Sequence, residues 1–260
     1  MKSVKSACGL LVLSAVLCPA AAWADEIRVM SSGALAPPYL KLVAQFEQTT
    51  HHKLITLATS TGIGPESIPS RVRSGERVDV IILSAAAIDE LVKDGHVRPG
   101  SRVDLARSGI GMAVRAGAPR PDIGTVDGLK RALLQARSVA YSAQISGVYL
   151  STELFQRLGI ADELLPKGKR IERGMVGPVV ARGEAEIGFQ QISELLAVPG
   201  IDYVGPLPAE VQRISLFSAG VATNAPSPEA ARALITFLAS AAAQAVFRAG
   251  GLEPVSPARR

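Results

Sequence analysis

The sequence is poor in the residues on which metal sites, thiol chemistry and nucleic-acid surfaces depend. It has two cysteines, Cys8 and Cys18, three histidines, and only 4% aromatic residues. His51 and His52 are adjacent and His96 follows a glycine, and these spacings favour surface turns over a metal site. The sequence contains no Walker loop, HExxH pair, serine nucleophile elbow or complete GxGxxG. Without these motifs or a metal-binding spacing of histidines, we expect no cofactor and no metal. Because the basic residues are scattered, we also expect no nucleic-acid partner.

The first 24 residues have the layout of a secretory signal peptide. Lys2 and Lys5 precede an apolar run over 7–17, and small residues at Ala22 and Ala24 stand just before Asp25. The apolar run is shorter than the roughly 20 residues that a membrane-spanning helix needs. We therefore predict a signal peptide over 1–24 that is cleaved after Ala24. We expect a periplasmic mature protein that does not insert into the membrane.

Cleavage at that position would change the composition of the chain. The remaining 236 residues would carry 26 basic and 23 acidic side chains, a net charge of +3 instead of +5. Both cysteines would be lost, which excludes a disulfide, a cysteine nucleophile and a cysteine-ligated zinc in the mature protein. The remaining basic excess suits a protein that binds a small anion.

Strand-like apolar runs alternate with helix-period segments along most of the chain. This alternation predicts an α/β fold with a mostly parallel sheet. We predict strands at 26–31, 53–58, 78–83, 138–141, 186–190 and 214–223, and helices at 38–49, 67–74, 85–93, 127–135, 146–158, 177–182 and 227–248. A second set of elements begins near Gly109, so we predict two lobes with a cleft between them. The first lobe would comprise 25–107 and 225–260, and the second 108–224.

Three loops place small polar residues between a predicted strand and a predicted helix. Free N–H groups and the positive dipole end make a helix N-terminus suitable for binding anions. Ordinary helix capping is the alternative explanation for each loop alone. Ligands collect at the carboxyl ends of strands in α/β folds, which favours a shared site. The candidate ligand-binding residues in the three loops are Ser31, Ser32, Gly33 and Ala34, then Ser60, Thr61 and Gly62, and then Tyr141, Ser146 and Gly147.

Three further residues are candidates for the same site. Arg173 ends the basic run 167–173, most of which we expect to be solvated surface. If it faced the cleft, its guanidinium would hold a carboxylate through two hydrogen bonds. Gln190 and Gln191 end a predicted strand and would supply two amides, or would form a capping turn instead.

Several segments of the chain resemble periplasmic molybdate-binding proteins. They are SSGALAPPYLKLVAQFEQTT, the STG loop, SGERVDVIILSAAAIDELVKDGHV, ISGVYLSTELFQRLGI, GEAEIGFQQISELL and ARALITFLASAAAQAVFRAGGLEP. The resemblance implies a type II periplasmic binding-protein fold, in which two doubly wound α/β lobes are joined by a two-segment hinge around the ligand cleft. It also implies a monomer that delivers a small anion to the permease of an ABC importer.

The resemblance also shows where the ligand site departs from that family. The family's first-loop serine falls on Ala34, while Ser60 and Ser146 match its second and third positions. Its later valine position falls near Arg173 and its binding tyrosine near Gln191. A site for a compact oxyanion would gain little from an added guanidinium and amide. The changes favour a larger anion with separated carboxylates, a di- or tricarboxylate.

An enzyme is known to resemble the same family, aconitate isomerase, which moves a proton across an unsaturated tricarboxylate. Such an isomerase needs a group that removes a proton beside a carbonyl and returns it. Tyr141, Glu66 or a cleft hydroxyl are possible bases, but the sequence singles out none of them. On the sequence alone we therefore rank binding without chemistry first and the isomerase second.

Overall fold

Two β-sheets flanked by helices make up the part of the chain that the computed structural model describes, residues 25–57 and 64–255. The first sheet has six strands in the order β11-β4-β10-β3-β1-β2. Its strands are β1 (Glu26–Ser31), β2 (Lys53–Leu57), β3 (Val80–Ser84), β4 (Val103–Ser108), β10 (Ser215–Val221) and β11 (Glu253–Pro254). β1 pairs in parallel with β2 and β3, whereas β10 runs antiparallel to β3 and β4.

The second sheet has five strands in the order β7-β6-β8-β5-β9. They are β5 (Ile110–Arg115), β6 (Val139–Ser142), β7 (Gly168–Ile171), β8 (Ile187–Gln191) and β9 (Ile201–Pro206). β6 pairs in parallel with β7 and β8, and β5 runs antiparallel to β8 and β9. Each sheet is therefore mixed. Four of the six strands and four of the five strands run in one direction, as expected for a mostly parallel sheet, but the antiparallel neighbours were not predicted. The antiparallel pairs arise because β10 and β5, the strands by which the chain enters each sheet at a crossing, run against its parallel strands, as the short β11 also does.

The helices cover the faces of the two sheets. They are α1 (Ala36–Thr50), α2 (Ile68–Arg73), α3 (Ala85–Lys93), α4 (Val126–Gln135), α5 (Ile145–Tyr149), α6 (Phe155–Arg157), α7 (Ala161–Leu164), α8 (Val176–Ala181), α9 (Ile192–Leu196), α10 (Pro228–Leu238) and α11 (Ala241–Ala249). A π-helical turn, Leu150–Leu154, joins α5 to α6, so the helix predicted over 146–158 is present in three pieces. Short 3₁₀ turns occupy Leu165–Lys167 and Ala209–Val211.

The predicted helical tail consists of two helices that pack on the first sheet. α10 and α11 meet at a 60° bend, where the Ser240 hydroxyl caps α11 by accepting a hydrogen bond from the Ala243 amide. Leu234 and Phe247 share a buried core with Ile27 and Met30 of β1. Among the described residues no single helix is long and apolar enough to cross a membrane, and only this bent pair has that length and composition together.

The chain crosses between the sheets at two neighbouring segments. One crossing leads from β4 into β5 through Gly109, and the other leads from β9 back to β10 through Gln212. The Gln212 side chain joins the crossings, because its Oε1 accepts from the Ile110 amide at 2.8 Å and its Nε2 donates to the Ile110 carbonyl at 2.9 Å. β10 belongs to the first sheet, although our predicted second lobe, 108–224, included it. The lobe boundaries otherwise remain a prediction.

Candidate functional site

A cavity of about 70 Å³ lies between the two sheets. It is well above the roughly 10–15 Å³ that a single water needs, so it has room for part of a small solute. The first sheet and its helices contribute Ser32, Ala34, Pro69, Leu83, Ser84, Ala87 and Phe217. The second sheet and its helices contribute Gln144, Ile145, Ser146, Gln191 and Glu194.

The folding pattern explains why the cavity is here. β1, β3, β6 and β8 each end at the cavity, and each is followed within a few residues by a helix. The strand ends and the helix N-termini therefore meet at one place, which is where α/β folds bind ligands. α1, with 15 residues, and α3, with nine, both begin beside the cavity. The positive end of each helix dipole therefore points toward this region. The arrangement favours an anion or a group with oxygen acceptors.

Two polar side chains at the cavity have no hydrogen-bond partner among the described residues. The unpaired atoms are the Ser32 hydroxyl and both the oxygen and the nitrogen of the Gln191 amide. Ser32 is 3% exposed and Gln191 is 2% exposed. A buried polar group without a partner costs about 1–3 kcal/mol. A ligand that accepts from the Ser32 hydroxyl and the Gln191 nitrogen and donates to the Gln191 oxygen would remove this cost.

The third predicted loop divides into residues that line the cavity and residues that shape it. Ser146 lines the cavity, and its hydroxyl lies 3.2 Å from the Ser142 hydroxyl. Gly147 is needed for packing, because a Cβ there would lie 1.6 Å from the Ser142 carbonyl oxygen. Tyr141 is buried in the second sheet's core with its ring edge-on to Phe155, and burial raises the pKa of its hydroxyl. Tyr141 is therefore outside the cavity lining.

The first predicted loop is also only partly in the site. Ser32 and Ala34 line the cavity. The Ser31 hydroxyl instead donates to the Ser32 carbonyl at 3.2 Å. Gly33 lies against the Glu194 side chain. The second predicted loop, with Ser60, Thr61 and Gly62, lies outside the described residues.

The structure does not bring Arg173 to the cavity. The basic run ahead of it forms the edge strand β7, in which Lys169 and Arg170 are exposed, as expected for solvated surface. Their charges pair locally, Lys169 with Glu184 at 3.1 Å and Arg170 with Glu172 at 3.3 Å. Arg173 follows in an exposed turn and is not among the lining residues. A contact between the Arg173 guanidinium and a ligand therefore stays a prediction.

Gln190 and Gln191 have different positions although they are adjacent. β8 directs Gln191 into the cavity and Gln190 behind it. The Gln190 Oε1 accepts from the Val176 amide at 2.8 Å, and its Nε2 donates to Oε1 of Glu194 at 2.7 Å. Both ends of the Gln190 amide are thereby used inside the protein. Its contribution to a ligand site would be indirect, through Glu194.

Glu194 is the ionisable residue of this lining, and it was not predicted from the sequence; the polar lining residues Ser84 and Gln144 were not predicted either. It lies in the first turn of α9 and is 2% exposed, although it lines the cavity. Burial raises the pKa of its carboxyl to about 8, and the Gln190 hydrogen bond lowers it in part. One feature of the sequence could have indicated Glu194, because it comes three residues after a strand that ends in Gln190 and Gln191. Glu66, which we named as a possible base, is exposed and is not a lining residue.

Known proteins resemble this chain over almost its whole length. Residues 27–253 match the family of bacterial extracellular solute-binding proteins. An aconitate isomerase from a Pseudomonas species is 44% identical over 250 residues, which cover 96% of this chain and 95% of the relative. The molybdate-binding protein of Azotobacter vinelandii is 26% identical over 252 residues, covering 93% and 95%.

A solved structure agrees with the architecture described above. The periplasmic molybdate-binding protein of Azotobacter vinelandii superposes with a TM-score of 0.72 at 21% identity, over 89% of this chain and 99% of that chain. The predicted type II periplasmic binding-protein fold is therefore confirmed, with a ligand cleft between two α/β lobes. The chain belongs to the bacterial extracellular solute-binding proteins.

Proposed function

We propose that this protein interconverts trans- and cis-aconitate by moving a proton across the allylic system of the tricarboxylate. The likeness to an aconitate isomerase, 44% identical over nearly the whole of both chains, carries this proposal. The molybdate-binding relative is much more distant, at 26% identity. We ranked binding first on the sequence because no base stood out, and Glu194 in the cavity changes that ranking.

The chemistry of the cavity suits a carbon-based anion better than a compact inorganic one. The unpaired Ser32 hydroxyl and the unpaired Gln191 amide nitrogen can donate hydrogen bonds to the oxygens of a carboxylate. Leu83, Ile145 and Phe217 add an apolar part to the lining. A tetrahedral oxyanion has no carbon skeleton to place against it, whereas a tricarboxylate does.

The test is to incubate the purified protein with trans-aconitate and to follow cis-aconitate by NMR. We expect conversion that scales with protein concentration and stops at the equilibrium ratio from either isomer. A thermal-shift series with aconitate, citrate and molybdate supplies the binding data, because a ligand at 100 times its dissociation constant adds about 2.7 kcal/mol of stability. Stabilisation by molybdate alone, with no conversion, would refute the proposal.

The second candidate is a solute-binding protein that delivers a di- or tricarboxylate to an ABC permease. Membership in the solute-binding family favours it. Aconitate binding without conversion, together with a carboxylate uptake defect in a strain that lacks the protein, would support this candidate over the isomerase.

We also propose that the protein works in the periplasm as a monomer after cleavage behind Ala24. The family is extracellular, and the sequence over 1–24 has the signal-peptide layout. The mass of the exported protein tests the cleavage, since a mature N-terminus at Asp25 is expected. Light scattering of the purified protein tests the monomer.

A further inference from the structure

We propose that Glu194 is the catalytic residue that carries the proton between the two carbons, with Gln190 as its positioning residue. This inference rests on the proposed isomerase function and names the group that performs it.

Glu194 is the one ionisable side chain among the described residues that line the cavity. The other lining residues are neutral on both sides of the cleft, including Ser32, Ser146 and Gln191. The segment 58–63, which lies outside the described residues, contains no ionisable side chain in its sequence. Among the described residues that line this cavity, a general acid–base group is therefore either Glu194 or a hydroxyl.

The orientation of the carboxyl is set by Gln190. The Val176 amide is a donor only, so the atom that accepts from it at 2.8 Å must be the Gln190 oxygen. The Gln190 nitrogen then faces Glu194 and donates to its Oε1 at 2.7 Å. The other carboxyl oxygen, Oε2, receives no hydrogen bond from the described residues and is left for the substrate. This is the arrangement of a base held by a second group.

Gly33 provides the room that the carboxyl occupies. A Cβ on residue 33 would lie 2.2 Å from Oε1 of Glu194 and 3.0 Å from its Cδ. Glu194 comes from the second sheet's side of the cleft, whereas Gly33 comes from the loop after β1. The carboxyl therefore reaches across to the first lobe, where a ligand between the lobes would meet it.

The reaction needs one group that can take a proton and return it. The Glu194 carboxylate removes a proton from the methylene carbon that lies between a carboxylate and the double bond. The C–H electron pair forms the new double bond, and the electron pair of the old one moves to the far carbon and into its carboxylate. Protonated Glu194 then gives the proton to that carbon. Substrate and product are isomers, so the step needs no oxidant or reductant.

The protonation behaviour of Glu194 agrees with this role. Burial raises the pKa of the carboxyl to about 8 from its ordinary value of 4.5. Both the acid and the carboxylate are then present near neutral pH, which is the condition under which one group serves in both directions. An exposed glutamate would be almost fully ionised and a weaker base.

The experiment compares Glu194→Gln with the wild type and with Glu163→Gln, an exposed glutamate on α7. If the wild type does not convert aconitate, the proposed function itself is wrong. If it does, we expect Glu194→Gln to lose at least 100-fold in turnover, in the range for a lost general acid–base group, while aconitate still stabilises it in a thermal shift. Glu163→Gln should match the wild type. Wild-type turnover in Glu194→Gln, or its loss of aconitate binding together with turnover, would overturn the assignment.

A second variant tests the positioning role of Gln190. Gln190→Met removes the donor that favours the ionised carboxyl, so the pKa of Glu194 should rise further. We expect the acidic limb of the pH profile of kcat to move to higher pH, with turnover partly recovered at alkaline pH. A uniform loss of turnover at every pH would assign Gln190 a structural role only and overturn the positioning role.

Discussion

Gly33 and Glu194 come from opposite sides of the cleft, and the Glu194 carboxyl lies where a side chain on residue 33 would be, because a Cβ there would fall 2.2 Å from the carboxyl oxygen Oε1. The Glu194 carboxyl fills the space that the absence of a side chain at Gly33 leaves. A single methyl group at position 33 would therefore move the carboxyl without changing its chemistry.

Gly33→Ala should lower aconitate turnover by about 10- to 100-fold, since a displacement near 1 Å of a reacting group costs on that order. Its backbone conformation is not left-handed, so the substitution should leave the fold intact. Turnover and a thermal melt measure the two effects. The matched control is Gly205→Ala on β9, where the nearest atom to a new Cβ is 3.9 Å away. Equal turnover in both variants would contradict the prediction.

Glu194→Gln should change how stability depends on pH. The pKa of Glu194 is about 8 in the folded protein and its ordinary value is 4.5, so between these values the folded state holds a proton that the unfolded chain has lost. The wild type should therefore lose stability relative to the variant as the pH rises from 5 to 8, by up to about 1.4 kcal/mol per pH unit, and no further above pH 8. Urea unfolding at pH 5, 6, 7 and 8 measures the difference. Parallel pH profiles for the two proteins would show that Glu194 is not buried as described.

The fold was largely predictable from hydrophobic periodicity. The helix predicted at 85–93 has the same bounds in the structure, and the strand predicted at 186–190 lies one residue later. Five strands were not predicted, namely β4, β5, β7, β9 and β11. β7 and β9 are only partly buried and so lack the strong apolar run of a central strand. The mixed direction of the sheets was missed because strand pairing is a long-range property that local pattern does not contain.

The candidate site was less predictable. Ser32, Ala34, Ser146 and Gln191 were identified from the sequence because they follow strands and precede helices. Glu194 was not, since its role depends on a loop about 160 residues away that leaves room for the carboxyl. The sequence around Glu194 shows neither that Gly33 lies close to the carboxyl nor that the other described lining residues are uncharged.

Replacement of Gln191 by Ala should weaken aconitate binding more than replacement of Arg173 by Ala. Gln191 has a buried, unpaired amide in the cavity, whereas Arg173 is exposed and outside the lining. A lost hydrogen bond to a charged ligand costs about 1.5–3 kcal/mol, so we expect roughly a 10- to 150-fold loss of affinity for Gln191→Ala and little change for Arg173→Ala. Calorimetric titration with aconitate measures both. A strong effect of Arg173→Ala would show that this guanidinium reaches the ligand.

Replacement of Ser193 by Ala should favour separation of the lobes. The Ser193 hydroxyl donates to the Ala34 carbonyl at 2.6 Å, and both groups are buried, so this bond joins α9 to the loop after β1. Its loss leaves a buried carbonyl unpaired at a cost of about 1–3 kcal/mol in the closed arrangement, whereas water can satisfy that carbonyl when the lobes are apart. Small-angle scattering without ligand should give a larger radius of gyration for the variant, and its aconitate affinity should fall. Ser151→Ala is the control, because its hydroxyl bonds to the Gly147 carbonyl within the second lobe. If both serine variants behave alike, the Ser193 bond does not hold the lobes together.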